Sequence, residues 1–265
     1  AADLEALSLP EIPVSEARAM VPILADTITQ AAFHADAFDI DTDLLVQKFA
    51  ARARANGVQV LTSARVQAIG GSGPFTLTTT KGAITADIIV NAAGAWADAV
   101  AELAGVRPVG LTPFRRSRAR MKAPGGHDVR NWPMLYGPEE SWYAKPDAGG
   151  WIVSPADEDP CPPMDAWADD MVIAEGLARY EAHVTVPVTH LTTTWAGLRT
   201  FAPDRAMVIG EAPDMPGFFW LAGQGGYGVQ SSPAAARLLA DLCLSRSPAL
   251  GADVVAAFDP ARFRA

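Results

Sequence analysis

A glycine-dense loop that runs straight into an alanine-rich helix is the most constraining feature of this chain. The segment is GQGGYGVQSSPAAARLLADLC, residues 223–243. We expect Ser231 or Ser232 to cap the helix and Pro233 to lie in its first turn. The backbone N–H groups of residues 225–230 then converge at a helix N-terminus, which attracts an anion or the electron-rich edge of a planar ligand. A glycine-rich turn before an ordinary surface helix is the alternative.

A strand-to-helix turn made of small residues is the second feature. It lies in DIIVNAAGAWADAVAELAGV, residues 87–106. The apolar run 88–90 predicts a strand buried on both faces, and a helix is expected after the small residues 91–95. Small side chains at such a turn let the backbone approach a ligand at the carboxyl end of a parallel strand.

A single arginine after an apolar stretch is the third feature. In TWAGLRTFAPDRAMVIG, residues 194–210, Arg199 follows the apolar sequence AGL. A guanidinium in such a place favours a carboxylate, which it binds with two parallel hydrogen bonds. A salt bridge exposed to solvent is the alternative.

Taken in this order, the three segments resemble the FAD-dependent D-amino acid oxidase superfamily, and within it the bacterial D-arginine dehydrogenases and related D-amino acid dehydrogenases. The strings FDIDTDLL, PFRRS, NWPML, SWYAKPDAG and SPADEDP extend the resemblance over nearly the whole chain. The resemblance implies FAD as the cofactor. It also implies an α/β (α+β) fold, in which a Rossmann-like FAD-binding domain accompanies a substrate domain with a mixed, largely antiparallel β-sheet.

Four segments are predicted from the resemblance and from changes in composition. Residues 1–36 are expected to be a helical lead-in of the substrate region. The FAD-binding domain is expected over 37–107 and again over 193–265. Between them, glycine and proline become frequent and short β-like pieces alternate with loops, which predicts the substrate-binding domain over 108–192.

Local signals place further elements within these segments. A helix capped by Thr42 is expected to end before a strand at 58–61. Two β-like runs, 75–80 and 83–90, form a predicted hairpin. The stretch 164–184 reads as one helix, because its acidic start suits the positive end of a helix dipole.

The opening motif of the superfamily is absent from this sequence. Its members are expected to begin with a strand, a G-x-G-x-x-G turn and a helix that hold the pyrophosphate of the cofactor. We therefore expect the chain to be a C-terminal portion that binds FAD weakly or not at all by itself. A chain that takes the motif from another subunit is the alternative.

The resemblance implies three catalytic residues. Arg199 would pair with the substrate carboxylate, Arg116 would be a second arginine on that side, and the hydroxyl of Tyr143 would lie near the substrate. Because neighbouring residues on a strand point to opposite faces, either Arg115 or Arg116 points inward, and Arg116 is predicted to do so. The predicted substrate-binding residues are Arg116, Tyr143, Arg199, Gly226 and Tyr227.

FAD would be held mostly by backbone groups. The predicted cofactor-binding residues are Val66, Ala92, Ala93, Gly94, Trp96, Gly197, Gly225, Gly226, Tyr227, Gly228, Val229 and Gln230. Val66 would hold the adenine, although it also suits a core position, and Tyr227 can instead pack outward. Gln224 stands where the family motif often has histidine, so no covalent flavin attachment is expected there.

Composition excludes several classes of partner. The 265 residues carry a net charge of −9, which argues against binding to nucleic acid or an anionic membrane surface. The two cysteines and four histidines lack the spacing of a disulfide framework or a metal site. No apolar run approaches the ~20 residues that span a bilayer. A cytoplasmic protein is expected, whose substrate is a small molecule, either an amino acid or an amine. The sequence does not identify the electron acceptor.

The leading hypothesis is an FAD-dependent D-amino acid dehydrogenase or oxidase, with dehydrogenase preferred on the resemblance. It would transfer hydride to flavin N5 and form an imino acid, which hydrolyses to a keto acid and ammonia. The alternatives are a sarcosine- or glycine-oxidase-like amine oxidoreductase and a truncated, non-catalytic fragment. The resemblance suggests a cationic or large hydrophobic side chain on the substrate, and Glu139, Glu140 and Asp147 are expected in exposed turns.

Overall fold

The computed structural model describes residues 9–264. The helices in this part of the chain are α1 (Val14–Met20), α2 (Thr42–Ala55), α3 (Ala97–Leu103), α4 (Asp170–Glu181), α5 (Gly228–Cys243) and α6 (Ala252–Phe258). The strands are β1 (Glu11–Ile12), β2 (Ala31–Ala32), β3 (Val66–Gly70), β4 (Phe75–Thr79), β5 (Gly82–Ala86), β6 (Ile89–Asn91), β7 (Thr112–Lys122), β8 (Leu135–Tyr136), β9 (Tyr143–Asp147), β10 (Gly150–Ser154), β11 (Asp159–Pro160), β12 (Thr193–Phe201), β13 (Val208–Glu211) and β14 (Phe218–Ala222). Short 3₁₀ helices lie at Gly94–Trp96, Pro124–Gly126, Pro138–Glu140 and Pro260–Phe263.

These elements group into two compact units. The first unit contains the described chain up to Phe38, together with Phe114–Pro160 and Met164–Leu198. The second contains Asp39–Pro113, Cys161–Pro163 and the chain from Arg199 onward. The combination of helices with mainly antiparallel sheets confirms the predicted α/β (α+β) class.

The first unit is built on a sheet with the strand order β11-β7-β10-β9-β8, in which each of these pairings is antiparallel. Along β7, Ser117, Ala119 and Met121 are buried. The side chains between them point to the opposite face, because direction alternates along a strand. The buried face packs into a core that includes Trp151 and Tyr180.

Helix α4 begins later than its sequence predicts. The carboxylate of Asp169 accepts hydrogen bonds from the N–H groups of Met171, at 2.9 Å, and Val172, at 3.1 Å. This cap fixes the helix start at Asp170, so the prediction of one helix from residue 164 is wrong at its beginning. Within α4, Gly176 is required because a Cβ there would lie 2.3 Å from Cβ of Pro155.

The second unit contains a three-stranded sheet with the order β13-β14-β6. Strand β14 is parallel to β6 and antiparallel to β13. Ile89 of β6 is buried, but Ile88 and Val90 are 41% and 44% exposed. The prediction of a strand buried on both faces is therefore wrong for the described residues, in which β6 pairs with β14 alone.

A second, antiparallel sheet of this unit has the order β3-β4-β5. It confirms the predicted hairpin, whose turn lies between Thr79 and Gly82. The second arm ends at Ala86 and not at Val90, because β6 belongs to the other sheet. The strand predicted at 58–61 does not form, and none of the described strands pairs with that segment. Val58, Val60 and Leu61 are about half exposed as a result.

Two smaller corrections concern the beginning of the chain. Asp41, and not Thr42, caps α2 by accepting a hydrogen bond from the N–H of Leu44 at 2.9 Å. Within the expected helical lead-in, residues 9–36 contain one helix, α1, and the pair β1–β2, while residues 1–8 lie outside the described part.

None of the helices described is long and apolar enough to cross a membrane.

Candidate functional site

The glycine loop between β14 and α5 lies directly against the end of β12. Gly225 has a positive φ of 52°, and its N–H donates a hydrogen bond to the carbonyl of Thr200 at 2.9 Å. A Cβ at this position would lie 2.2 Å from the ring of Phe201. Glycine is therefore required by both the backbone conformation and the space available.

Arg199 and Gly226, two of the predicted site residues, are in contact. A Cβ on Gly226 would lie 3.0 Å from both Cζ and Nη1 of Arg199. The guanidinium thus lies against the backbone of Gly226, which is the exposed residue of the loop. The structure therefore places a cation beside a point of the loop that carries no side chain.

The helix after the loop starts earlier than predicted. Helix α5 begins at Gly228, and Pro233 lies inside it rather than in its first turn. The hydroxyl groups of Ser231 and Ser232 donate to the backbone carbonyls of Tyr227 and Val229, each at 2.8 Å. The prediction that a serine caps this helix is therefore wrong, because both hydroxyls bond backward along the chain.

The first backbone donors of α5 are available to a ligand. The N–H groups of Gly228, Val229 and Gln230 have no acceptor among residues 9–264, as is normal for a helix N-terminus. Val229 and Gln230 are also exposed. Together with the loop, these donors form a backbone surface suited to an electron-rich edge.

Tyr227 packs within its own unit. Its hydroxyl donates a hydrogen bond to the carbonyl of Arg205 at 2.5 Å, and burial raises the pKa of the phenol. The guanidinium of Arg205 lies 3.9 Å from the ring centre of Phe201. This arrangement favours the structural alternative for Tyr227. Sequence reasoning missed Phe201 and Arg205, whose roles depend on contacts with the loop.

The small-residue turn between β6 and α3 forms where the sequence predicts it. The amide of Asn91 donates to the carbonyl of Ala97 at 2.8 Å and accepts from the N–H of Ala93 at 3.3 Å. Gly94 adopts a positive φ of 58°, and Trp96 is half-exposed. Asn91 therefore fixes the turn that carries the predicted cofactor residues Ala92, Ala93, Gly94 and Trp96.

Asp98 is a further positioning residue that the sequence did not reveal. Its carboxylate accepts hydrogen bonds from three consecutive backbone N–H groups, those of Val109, Gly110 and Leu111, at 3.1, 3.0 and 2.7 Å. These bonds fasten α3 to the segment that leads into β7. Asp98 thereby stabilises the helix that follows the turn.

Val66 and Gly197 occupy ordinary strand positions. Val66 begins β3, opposite Thr79, and packs against the core of the second unit. Gly197 lies in β12, and a Cβ added there would meet no atom within 4 Å among the described residues. Their cofactor roles stay predictions.

The first unit carries the other predicted substrate residues. Arg115 and Arg116 point to opposite faces of β7: Arg115 pairs with Asp159 at 3.2 Å, whereas Arg116 lies 4.0 Å from Glu158. The side chain of Arg116 is 12% exposed, and its buried Nε has no hydrogen-bond partner among the described residues. An unpaired, buried donor of this kind suits a polar ligand.

Tyr143 is held by a residue that sequence reasoning missed. Nε of Arg118 donates a hydrogen bond to the hydroxyl of Tyr143 at 2.9 Å, and the tyrosine is 7% exposed. The alternation of arginine along β7 was the available signal. Glu139 and Glu140 lie in an exposed turn, as expected. The same expectation is wrong for Asp147, which ends β9 and pairs with Arg120 at 3.1 Å.

These features define an α/β protein in which a glycine loop, a helix start and an arginine form a backbone-rich candidate binding surface. The family model for FAD dependent oxidoreductases matches residues 2–242. The chain belongs to this family, and FAD is the family's cofactor. The residues present fit a flavin, because Gly226 offers bare backbone and the start of α5 offers free N–H groups.

Three individual comparisons accompany the family match. Glycine oxidase from Pseudomonas aeruginosa is 27% identical over 252 residues, which cover 91% of this chain and 65% of that protein. FAD-dependent oxidoreductase domain-containing protein 1 from Xenopus laevis is 28% identical over 176 residues, covering 60% of this chain and 35% of that protein. The crystal structure of glycine oxidase from Geobacillus kaustophilus has a TM-score of 0.82 and 23% identity, covering 98% of this chain and 69% of that one.

The chain therefore spans between 35% and 65% of the length of these two curated relatives. The likeness to the solved structure supports the fold.

Proposed function

We propose that this chain takes part in the FAD-dependent oxidation of the C–N bond of an amino acid, with D-amino acids as substrates. The contact between Arg199 and Gly226 carries the proposal, because it joins a carboxylate-binding group to a loop suited to a flavin. The family membership supports the oxidoreductase part of the proposal.

The loop and the start of α5 would hold the pyrimidine edge of the flavin. The backbone groups concerned are those of Gly225, Gly226, Gly228, Val229 and Gln230. The positive end of the helix dipole favours negative charge at that edge. FAD, when bound, supplies the acceptor of the hydride that leaves the substrate α-carbon.

Each unit carries side chains that suit an amino acid substrate. In the second unit, Arg199 would bind a carboxylate with its planar guanidinium. In the first unit, the buried, unpaired Nε of Arg116 offers a charged donor. Tyr143 accepts a hydrogen bond from Arg118, so its own O–H proton is available to a substrate oxygen. Fixing the amino acid at its carboxylate sets the direction of its α-carbon.

A glycine-oxidase-like reaction on glycine or sarcosine is the second candidate. It is favoured by the match to the Pseudomonas aeruginosa glycine oxidase, which covers 91% of this chain. Both candidates use a carboxylate-bearing amine and the same arginine, so substrate choice separates them.

The proposal is tested by product analysis. The FAD-loaded protein is incubated with D-alanine, D-leucine, D-arginine, glycine and sarcosine, first with oxygen and then with an artificial dye as acceptor. We expect a keto acid and ammonia in equal amounts from D-amino acids, and faster turnover with the dye. Turnover of glycine and sarcosine alone would select the second candidate, and no turnover of any amine would contradict the proposal.

A further inference from the structure

Three arginines point to the same face of β7. They are Arg116, Arg118 and Arg120, and they alternate with the buried residues Ser117 and Ala119. Successive members are two residues apart, which separates their Cα atoms by roughly 6.6–6.8 Å. The positive charges of neighbouring arginines therefore repel one another, and a nearby anion would stabilise each guanidinium.

Within the described chain, the three arginines differ in how close a carboxylate lies to each. Nε of Arg120 lies 3.1 Å from the carboxylate of Asp147, which makes a close ion pair. Arg116 has only the longer 4.0 Å approach of Glu158, and its buried Nε is unpartnered within residues 9–264. Arg118 has no carboxylate within 4.0 Å in that same range. Two of the three cations are thus poorly compensated.

The remaining contact of Arg118 orients it without neutralising it. Its Nε donates to the hydroxyl of Tyr143 at 2.9 Å, and that tyrosine is nearly buried. The strand register places Tyr143 opposite Ser154 on β10, the strand between β9 and β7. A neutral hydroxyl fixes the direction of a guanidinium but leaves its positive charge uncompensated. That charge still favours a carboxylate.

We propose that Arg118 binds a second carboxylate of the substrate beside Arg116, so that the preferred substrate is an amino acid or secondary amine with two carboxylates on a short carbon chain. This inference rests on the proposed function. It also opposes the cationic side chain implied by the sequence resemblance, because an uncompensated guanidinium repels a positively charged group.

The inference is tested by isothermal titration calorimetry of the FAD-loaded protein with succinate and with butyrate, which has the same chain length and one carboxylate. We expect succinate to bind at least about tenfold more tightly, a difference that one charge-assisted contact can supply. Arg118→Met should remove this preference. Arg120→Met is the matched control and should keep it, because Arg120 already pairs with Asp147.

Two further variants keep the test decisive if Arg118→Met does not fold. Arg118→Lys keeps the positive charge and should retain part of the preference for succinate. Tyr143→Phe removes the hydrogen bond but not the charge, so the preference should survive. Equal binding of succinate and butyrate by the unaltered protein, or an unchanged preference in Arg118→Met, would overturn the inference.

Turnover separates this inference from the proposed function. D-glutamate and D-glutamine have similar size and differ in their second carboxylate. We expect faster oxidation of D-glutamate, and Arg118→Met should remove the difference. If none of the amines is oxidised while calorimetry shows the succinate preference, the proposed function fails and the second carboxylate site stands. If both are oxidised equally and succinate has no advantage, the second carboxylate site fails alone.

Discussion

The glycine loop of the second unit and the arginine-bearing strand of the first unit are two different kinds of candidate binding surface. The loop offers backbone: Gly225 and Gly226 lie against Phe201 and Arg199 because they have no side chains. The strand offers side chains, whose direction depends on the register of β7. The comparison teaches that the local sequence reveals a surface made of backbone. For a surface made of side chains, the sequence gives their alternation, and strand pairing adds their partners, such as Tyr143 for Arg118.

Replacing the arginine at the loop should have the largest effect. Losing one partner of a buried charged contact costs about 2–5 kcal/mol, so Arg199→Met should lower kcat/KM for the best amino acid substrate by roughly 30-fold or more. Steady-state kinetics of the FAD-loaded protein measure this. Arg52→Met, on the exposed surface of α2, is the control and should leave kcat/KM unchanged.

A buried phenol of the first unit should make the stability of the protein depend on alkaline pH. Burial raises the pKa of Tyr180 in the first unit from about 10 to about 12, and its hydroxyl accepts a hydrogen bond from Trp151 at 3.1 Å. Because the unfolded phenol ionises first, the contribution of Tyr180 is complete below pH 10 and falls as the pH rises from about 10 to about 12.

The expected loss for that shift is at most roughly 3 kcal/mol of unfolding free energy. Urea denaturation between pH 9 and pH 12 measures it as the difference between the unaltered protein and Tyr180→Phe. In Tyr180→Phe, the part of the fall in unfolding free energy with pH that comes from this phenol should be absent. Identical slopes would show that the buried phenol does not limit alkaline stability.

Steric crowding in the glycine loop should cause the next largest loss of stability. Gly225→Ala places a Cβ 2.2 Å from the ring of Phe201, so the unfolding free energy should fall by about 1–3 kcal/mol. Gly197→Ala is the matched control, because its Cβ meets no described atom within 4 Å. Chemical denaturation compares the two variants. Equal stability would break the distinction between a required glycine and a tolerant one.

The two neighbouring arginines of β7 should differ in their contribution to substrate binding. This is the smallest of the expected effects. Arg116→Met should raise KM about tenfold, equivalent to about 1.4 kcal/mol. Arg115→Met should leave KM unchanged, because Arg115 lies on the opposite face and pairs with Asp159 at 3.2 Å. Substrate titrations at fixed enzyme concentration measure both. A raised KM in Arg115→Met would place the substrate on the wrong face of the strand.

The sequence predicted those features that local chemistry decides. The glycine loop, the turn at Ala92 to Gly94 and the hairpin at Thr79 to Gly82 depend on residues close together in the chain. The opposite directions of Arg115 and Arg116 follow from strand alternation alone.

The remaining features depend on distant partners. The apolar segment 58–61 has strand-like residues but no neighbouring strand in the described chain. Ser231 and Ser232 suit a helix cap, yet both lie inside α5, because Gly228 already begins the helix. The contact of Arg118 with Tyr143 joins residues 25 positions apart and requires the register of three strands.

Reduction of the bound flavin by an α-deuterated substrate tests the central claim most directly. The FAD-loaded protein is mixed without oxygen with D-glutamate carrying hydrogen or deuterium at its α-carbon, and the visible absorption of oxidised flavin is followed in a stopped-flow instrument. We expect the absorption to bleach in a single turnover, and more slowly with deuterium, because the α-carbon to hydrogen bond breaks in that step. A flavin that dithionite bleaches, but that D-amino acids, glycine and sarcosine all leave oxidised, would contradict the account.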